Sequence, residues 1–210
     1  MKRKLIPALT VVASLALMAP ATAATAATDA QPTLADILLA DSAGDNDNGF
    51  DRRSWDYDIV TQAVLLFPNL VEAASDPAAE LTVFLPRDSA FRRLVYEITG
   101  DWIRSEQGVF NAVASLGTDT VKSVLLYHIV PASISYRDAL NADGAVLETL
   151  LDGSTIEVKV KSLWRWKWIK LKDADTNDRN PTVVRGNVGG AAANGYAHGI
   201  NRVLRPIDLP

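Results

Sequence analysis

The apolar residues of this chain change period once, and that change decides which architectures are open to it. From Thr33 to about Leu126 they recur at helical spacing. Leu34, Ile37 and Leu38 follow a Thr33 N-cap, Ile59–Leu66 runs until Pro68, and Leu70–Ala74 adds another turn or two. Asp88 or Ser89 then caps a helix through Tyr96, and Thr118 and Asp119 open one through Leu126. Thr82–Leu85 interrupts them as a short buried strand, β-branched and aromatic, closed by Pro86. Beyond residue 145 the pattern alternates. Val146–Leu151 and Thr155–Lys161 flank Asp152-Gly153, a hairpin signal, and Trp166–Lys172 reads as a partner strand. Val183-Val184 and Ile200–Leu204 supply further short strands. Helices first and strands later predict an α+β fold rather than a doubly wound sheet.

The beginning of the chain is not expected to join that fold. Lys2, Arg3 and Lys4 precede the apolar stretch Leu5–Ala19, and Ala21-Thr22-Ala23 and Ala24-Thr25-Ala26 form two A-x-A cleavage patterns. This order predicts a secretory signal peptide over residues 1–26, its apolar stretch short for a membrane span, then a linker over 27–32 and a single domain over 33–210. Cleavage removes three cations and takes the formal charge from −4 to −7. An acidic chain without a basic face is not expected to bind nucleic acid. Cysteine is absent, which excludes disulfides, zinc–thiolate sites and thiol nucleophiles, and suggests a bacterium that exports proteins without relying on disulfides. The mature protein is expected to be soluble and extracellular.

Catalytic signatures are missing. There is no G-x-S-x-G, no H-E-x-x-H and no P-loop, and only two histidines, His128 and His198, are available to a triad. No serine sits in a nucleophile setting, so no catalytic residue and no cofactor is assigned; carboxylate pairs suited to glycoside chemistry stay open among the 25 acids. Two runs imitate calcium loops, Asp45-Asn46-Asp47-Asn48-Gly49 and Asp173-Ala174-Asp175-Thr176-Asn177. Both fail the EF-hand register, the second because Asp178 replaces the glycine and Val184 the bidentate acid. They read as solvated Asp/Asn turns, and no metal ligand is assigned.

Three segments in order resemble the fasciclin domain, a secreted adhesion module. Thr82-Val83-Phe84-Leu85-Pro86-Arg87-Asp88-Ser89-Ala90-Phe91 is similar to its first motif, with Leu85 and Arg87 replacing Ala and Thr. Leu125-Leu126-Tyr127-His128-Ile129-Val130-Pro131 is similar to its central Tyr-His motif. Asn194-Gly195-Tyr196-Ala197-His198-Gly199-Ile200-Asn201-Arg202-Val203-Leu204-Arg205-Pro206 is similar to its closing motif, with Tyr196, Gly199 and Asn201 departing from it. The resemblance implies a wedge-shaped β-sandwich flanked by helices. Asp88, Phe91 and His198 are expected to be structural: Asp88 as a helix cap, Phe91 closing a strand–turn–helix joint. The Tyr-His motif is linked to integrin-mediated adhesion in animal members, so Tyr127 and His128 are candidate contacts. Their place where a helix gives way to a strand favours a structural role, with the imidazole serving backbone groups left unpaired there.

Relative to a minimal domain of that family, insertions are expected at about 41–58, 99–117 and 162–181. The last holds Trp164, Trp166 and Trp168 among Arg165, Lys167, Lys170 and Lys172. On one continuous strand the three indoles would share a face and could stack on a glycan or planar ligand. Packing is the favoured expectation, with Trp166 or Trp168 buried, Trp164 most exposed near the turn, and the cations free to pair with the acidic loop. The function expected is a secreted, non-enzymatic cell-surface or extracellular-matrix adhesion module, its partner an extracellular protein, a polysaccharide or another copy of itself. The alternative is a soluble carrier for a hydrophobic small molecule such as a carotenoid.

Overall fold

The computed structural model describes residues 31–42 and 48–207; the expected signal peptide and most of the Asp45–Gly49 run lie outside the described residues. Helix α1 (Leu34–Asp41) starts at a capping box in which the Thr33 hydroxyl accepts from the Asp36 N–H and the Asp36 carboxylate accepts from the Thr33 N–H. Helices α2 (Asp58–Leu65) and α3 (Pro68–Ser75) are parted by Leu66 and Phe67, and Pro68 takes the first helical position, where no N–H is needed. Strand β1 (Leu81–Pro86) leads into α4 (Asp88–Thr99), which ends at Gly100 in the left-handed region. The stretch expected as an insertion at 99–117 contains α5 (Glu106–Ala114), which buries Val109 and Val113 and packs on α2 and α4. Helix α6 (Thr118–Tyr127) passes through His128 into the two-residue strand β2 (Ile129–Val130).

After the short helix α7 (Tyr136–Ala139) the chain is built of strands: β3 (Val146–Glu148), β4 (Thr155–Leu163), β5 (Trp166–Lys172), β6 (Val183–Arg185), β7 (Ala191–Ala192) and β8 (Gly195–Ile200). Asp152-Gly153 takes the two central positions of the turn between β3 and β4, which pair antiparallel as the sequence predicts, with Gly153 at φ 69°. Strand β3 ends at Glu148, and the loop over 149–154 closes through the Ser154 N–H donating to Leu151 O. The closing strand lies earlier than Ile200–Leu204, because Gly195 can enter the sheet where other residues cannot. Its φ is 135°, and a Cβ there would stand 1.8 Å from Leu81 O.

A five-stranded mixed sheet has the order β2-β1-β8-β6, with β7 also on β8; β1 and β8 run parallel. A second sheet is the antiparallel meander β3-β4-β5. Alternation along β1 divides the interior. Leu81 and Leu85 join the helices in the larger core, whereas Phe84 faces Ile156, Val158, Ile169 and Leu171 of the second sheet. The molecule is thus a two-sheet sandwich, not closed into a barrel, with helices covering the outer face of its larger sheet.

Candidate functional site

The junction of α6 and β2 holds the Tyr-His pair. His128 is the C-cap of α6; its Nδ1 donates to Val124 O (2.7 Å) and its Nε2 accepts from the Leu204 N–H (2.9 Å). That pattern needs a neutral ring, and burial lowers its pKa to about 4. Tyr127 is fully buried; its hydroxyl donates to Thr155 O (2.8 Å) and accepts from the Ala174 N–H (3.0 Å). Burial, then the nearby Asp173, pushes that phenol up to about 12. The two rings stitch α6 to β4, to the loop after β5 and to the chain after β8. Neither offers a surface to a partner, so the candidate contact role at Tyr127 and His128 has no exposed ring to act through. His198 is likewise buried, its Nε2 2.9 Å from Ile134 O and its Nδ1 accepting from the Asn187 N–H. Phe91 lies in the larger core. Gly199, a departure from the family motif, leaves room for Tyr57: a Cβ there would lie 2.1 Å from its hydroxyl.

Asp88 is buried too, but it does not cap its own helix. It is the first residue of α4, and its Oδ1 accepts from the N–H of Ile59 at the start of α2 (3.1 Å). Around it lie three more buried carboxyls: Asp56, Asp58 and Glu106. Asp58 accepts from the Ser42 hydroxyl (3.1 Å) and the Asp51 N–H (3.2 Å). Both Glu106 oxygens are buried without an N–H or O–H donor, and the Asp56 and Asp88 carboxyls stand close enough to share a proton. Carboxylate oxygens of Asp58, Asp88 and Glu106 lie within 4.8 Å of one another, as do those of Asp51, Asp56 and Asp58. Burial above all, reinforced by neighbouring carboxyls, raises Asp56 and Glu106 to about 7 and Asp88 to about 10. Sequence reasoning missed this cluster. Asp56 and Asp58 are two apart in the chain, but nothing in the spacing brings Asp88 and Glu106 to them.

The Asp173–Asp178 loop is not a solvated turn either. Asp175 is buried against Arg205, which also pairs with Asp178 and Glu97, and the Arg205 N–H donates to Asp173 (3.1 Å).

The tryptophan segment forms the far end of the β4–β5 hairpin. The register pairs Leu163 with Trp166 and Lys161 with Trp168, leaving Trp164 and Arg165 as the turn, with Trp164 at φ 57°. Trp164 is 94% exposed, Trp166 78% and Leu163 61%, while Trp168 is half-buried. The expected packing fails at Trp166 for a reason of phase. Ile169 and Leu171 hold the inward positions of β5 opposite Val160 and Val158, so the even-numbered tryptophans take the outer face. Residues 159–172 carry six cations and no acid. They do not reach the acidic loop among the described residues; Lys159 and Lys172 pair with Glu157 of the same hairpin.

The apolar cavity lined by Phe91, Leu94, Val121 and His128 has a volume of about 20 Å³, room for one water and far below a carotenoid. A larger open cleft of about 690 Å³ is lined by the charged Arg52, Arg92, Arg104 and Asp51 together with Trp102.

The fasciclin domain family model matches residues 57–206. Among solved structures, a FAS1 domain pair from the insect cell adhesion molecule fasciclin I superposes with a TM-score of 0.58 at 15% identity. The match covers 84% of this chain and 51% of that one, so the chain spans about half the length of the solved pair. No curated protein matches.

Proposed function

The chain belongs to the fasciclin domain family, and from that membership we propose that it is a secreted, non-enzymatic adhesion module whose contact surface is the tip of the β4–β5 hairpin, directed at an anionic extracellular polysaccharide. One observation carries the reading: Leu163, Trp164 and Trp166 stand in solvent amid Lys161, Arg165 and Lys167. Exposed large aromatics in a cluster are costly to keep in water and are characteristic of contact surfaces. Indole faces stack on sugar rings, and the surrounding cations suit carboxylate, sulfate or phosphate substituents. The rest of the molecule is acidic, so charge favours approach by the hairpin end. The solved relative is itself an adhesion molecule. The buried Tyr-His pair supports a scaffold role for that motif, and the most enclosed apolar cavity among the described residues, about 20 Å³, gives the carrier alternative little support.

The test compares the wild type with Trp164→Ala/Trp166→Ala in binding to immobilised acidic polysaccharides and in urea melts. Retention of the wild type, loss of at least about tenfold in affinity by the double variant and a shift in stability below about 0.5 kcal/mol support the reading. Equal retention of both proteins, or binding only to a protein ligand or to a second copy of the chain, overturns it.

A further inference from the structure

We propose that Asp58, Asp88 and Glu106, with Asp56 beside them, hold one calcium ion that clamps the segment before α2 to α4 and α5. The site is independent of the hairpin and lies in the helical half of the fold. Its donors come from separate parts of the chain: Asp56 from the loop after α1, and Asp58, Asp88 and Glu106 each from the first residue of a helix. Three helix N-termini therefore converge on it.

Those helix ends favour nearby negative charge, and they use up part of the carboxylate set. Asp88 Oδ1 is spent on Ile59, and Asp58 on Ser42 and Asp51. What is left over points to a ligand. Both oxygens of Glu106, which is 2% exposed, find no N–H or O–H donor, and the buried Asp88 and Asp56 carboxyls have only each other to share a proton with. Arg92 Nη2 stands 3.6 Å from Glu106 Oε1, an ion pair beyond hydrogen-bond reach, and brings one positive charge to four carboxyls. Buried carboxylates persist when they are paired or coordinate a metal. An all-oxygen carboxylate set selects a hard cation, and oxygens within 4.8 Å of one another can share one ion whose bonds are about 2.4 Å long. Donors carried by three helices and a loop suit the irregular coordination of calcium better than the strict octahedron of magnesium.

The experiment uses the full domain stripped with EDTA, titrated with CaCl2 and separately with MgCl2, and read by calorimetric binding and thermal melting. One calcium per chain and a melting temperature that rises with calcium concentration are expected. Glu106→Gln keeps the shape and removes a charge. Without calcium it should melt at or above the wild type; with calcium the order should reverse, and its calcium affinity should fall by at least about tenfold. Asp56→Asn, at the rim, should weaken binding in the same direction. Three results would each overturn the proposal: no calcium bound at millimolar concentration, calcium bound equally by wild type and Glu106→Gln, or a Glu106→Gln melting deficit that is the same with and without calcium.

Discussion

At the residue scale, His128 shows how a motif residue can be structural and still govern a solution property. Its ring serves two backbone groups, Val124 O at the end of α6 and the Leu204 N–H in the chain after β8. His128→Ala should therefore cost about 1–3 kcal/mol at pH 7.5. The pH dependence has a definite sign. The folded pKa is depressed to about 4, so the stabilisation is complete above the unfolded value near 6.5 and is lost as pH falls toward 4. At pH 5 that loss is about 2 kcal/mol for the wild type and nil for the variant. Urea midpoints at pH 7.5 and 5.0 should show the gap between the two proteins narrowing; a gap independent of pH would contradict a neutral buried ring. The position of His128 was legible because a helical run, the Tyr-His pair and Pro131 mark the junction in consecutive residues. The acid cluster was not, since Asp88 and Glu106 meet Asp58 only after α2, α4 and α5 have packed.

At the element scale, the helix and strand periods were legible, while strand phase and one helix were not. Residues 166–172 contain two apolar sets, Trp166/Trp168 and Ile169/Leu171, and a single strand cannot say which faces inward. The partner β4 decides it: Val158 and Val160 stand opposite Leu171 and Ile169 and turn that face toward Phe84. Helix α5 was hidden because Gly108 and the buried Glu106 break its apolar stripe. The loop between β5 and β6 was read from composition as solvated, yet Arg205 draws it inward. One guanidinium, 8% exposed at its side chain, joins Asp175 and Asp178 of that loop to Glu97 of α4, and Arg202 adds a second contact to Glu97 at 2.8 Å. Removing the cation leaves Asp175, whose side chain is fully buried, with an uncompensated charge. Arg205→Ala should destabilise the domain by about 3–5 kcal/mol in urea unfolding at pH 7. A loss below about 1 kcal/mol would mean that the loop is held by its backbone contacts alone.

At the scale of the whole molecule, the two cores are built on one shared layer. Strand β1 sends Leu85 into the helical core and Phe84 into the core between the sheets, and β8 does the same with Ala197 and Ile200. Neither core can lose its packing while the central β1–β8 pair stays intact on the other side, because each residue of that pair is flanked by residues of the opposite face. The expected consequence is cooperative unfolding of the whole domain. Leu94→Ala opens a cavity in the helical core and Ile169→Ala one between the sheets, each costing about 2–5 kcal/mol. Both should lower a single calorimetric transition, with the near-ultraviolet and far-ultraviolet signals falling together. If the sheets instead formed an independent unit, Ile169→Ala would split the endotherm and leave a helical transition at the wild-type temperature. Coincident transitions for both variants would establish that the β1–β8 pair couples the hairpin's half of the fold to the carboxylate cluster's half.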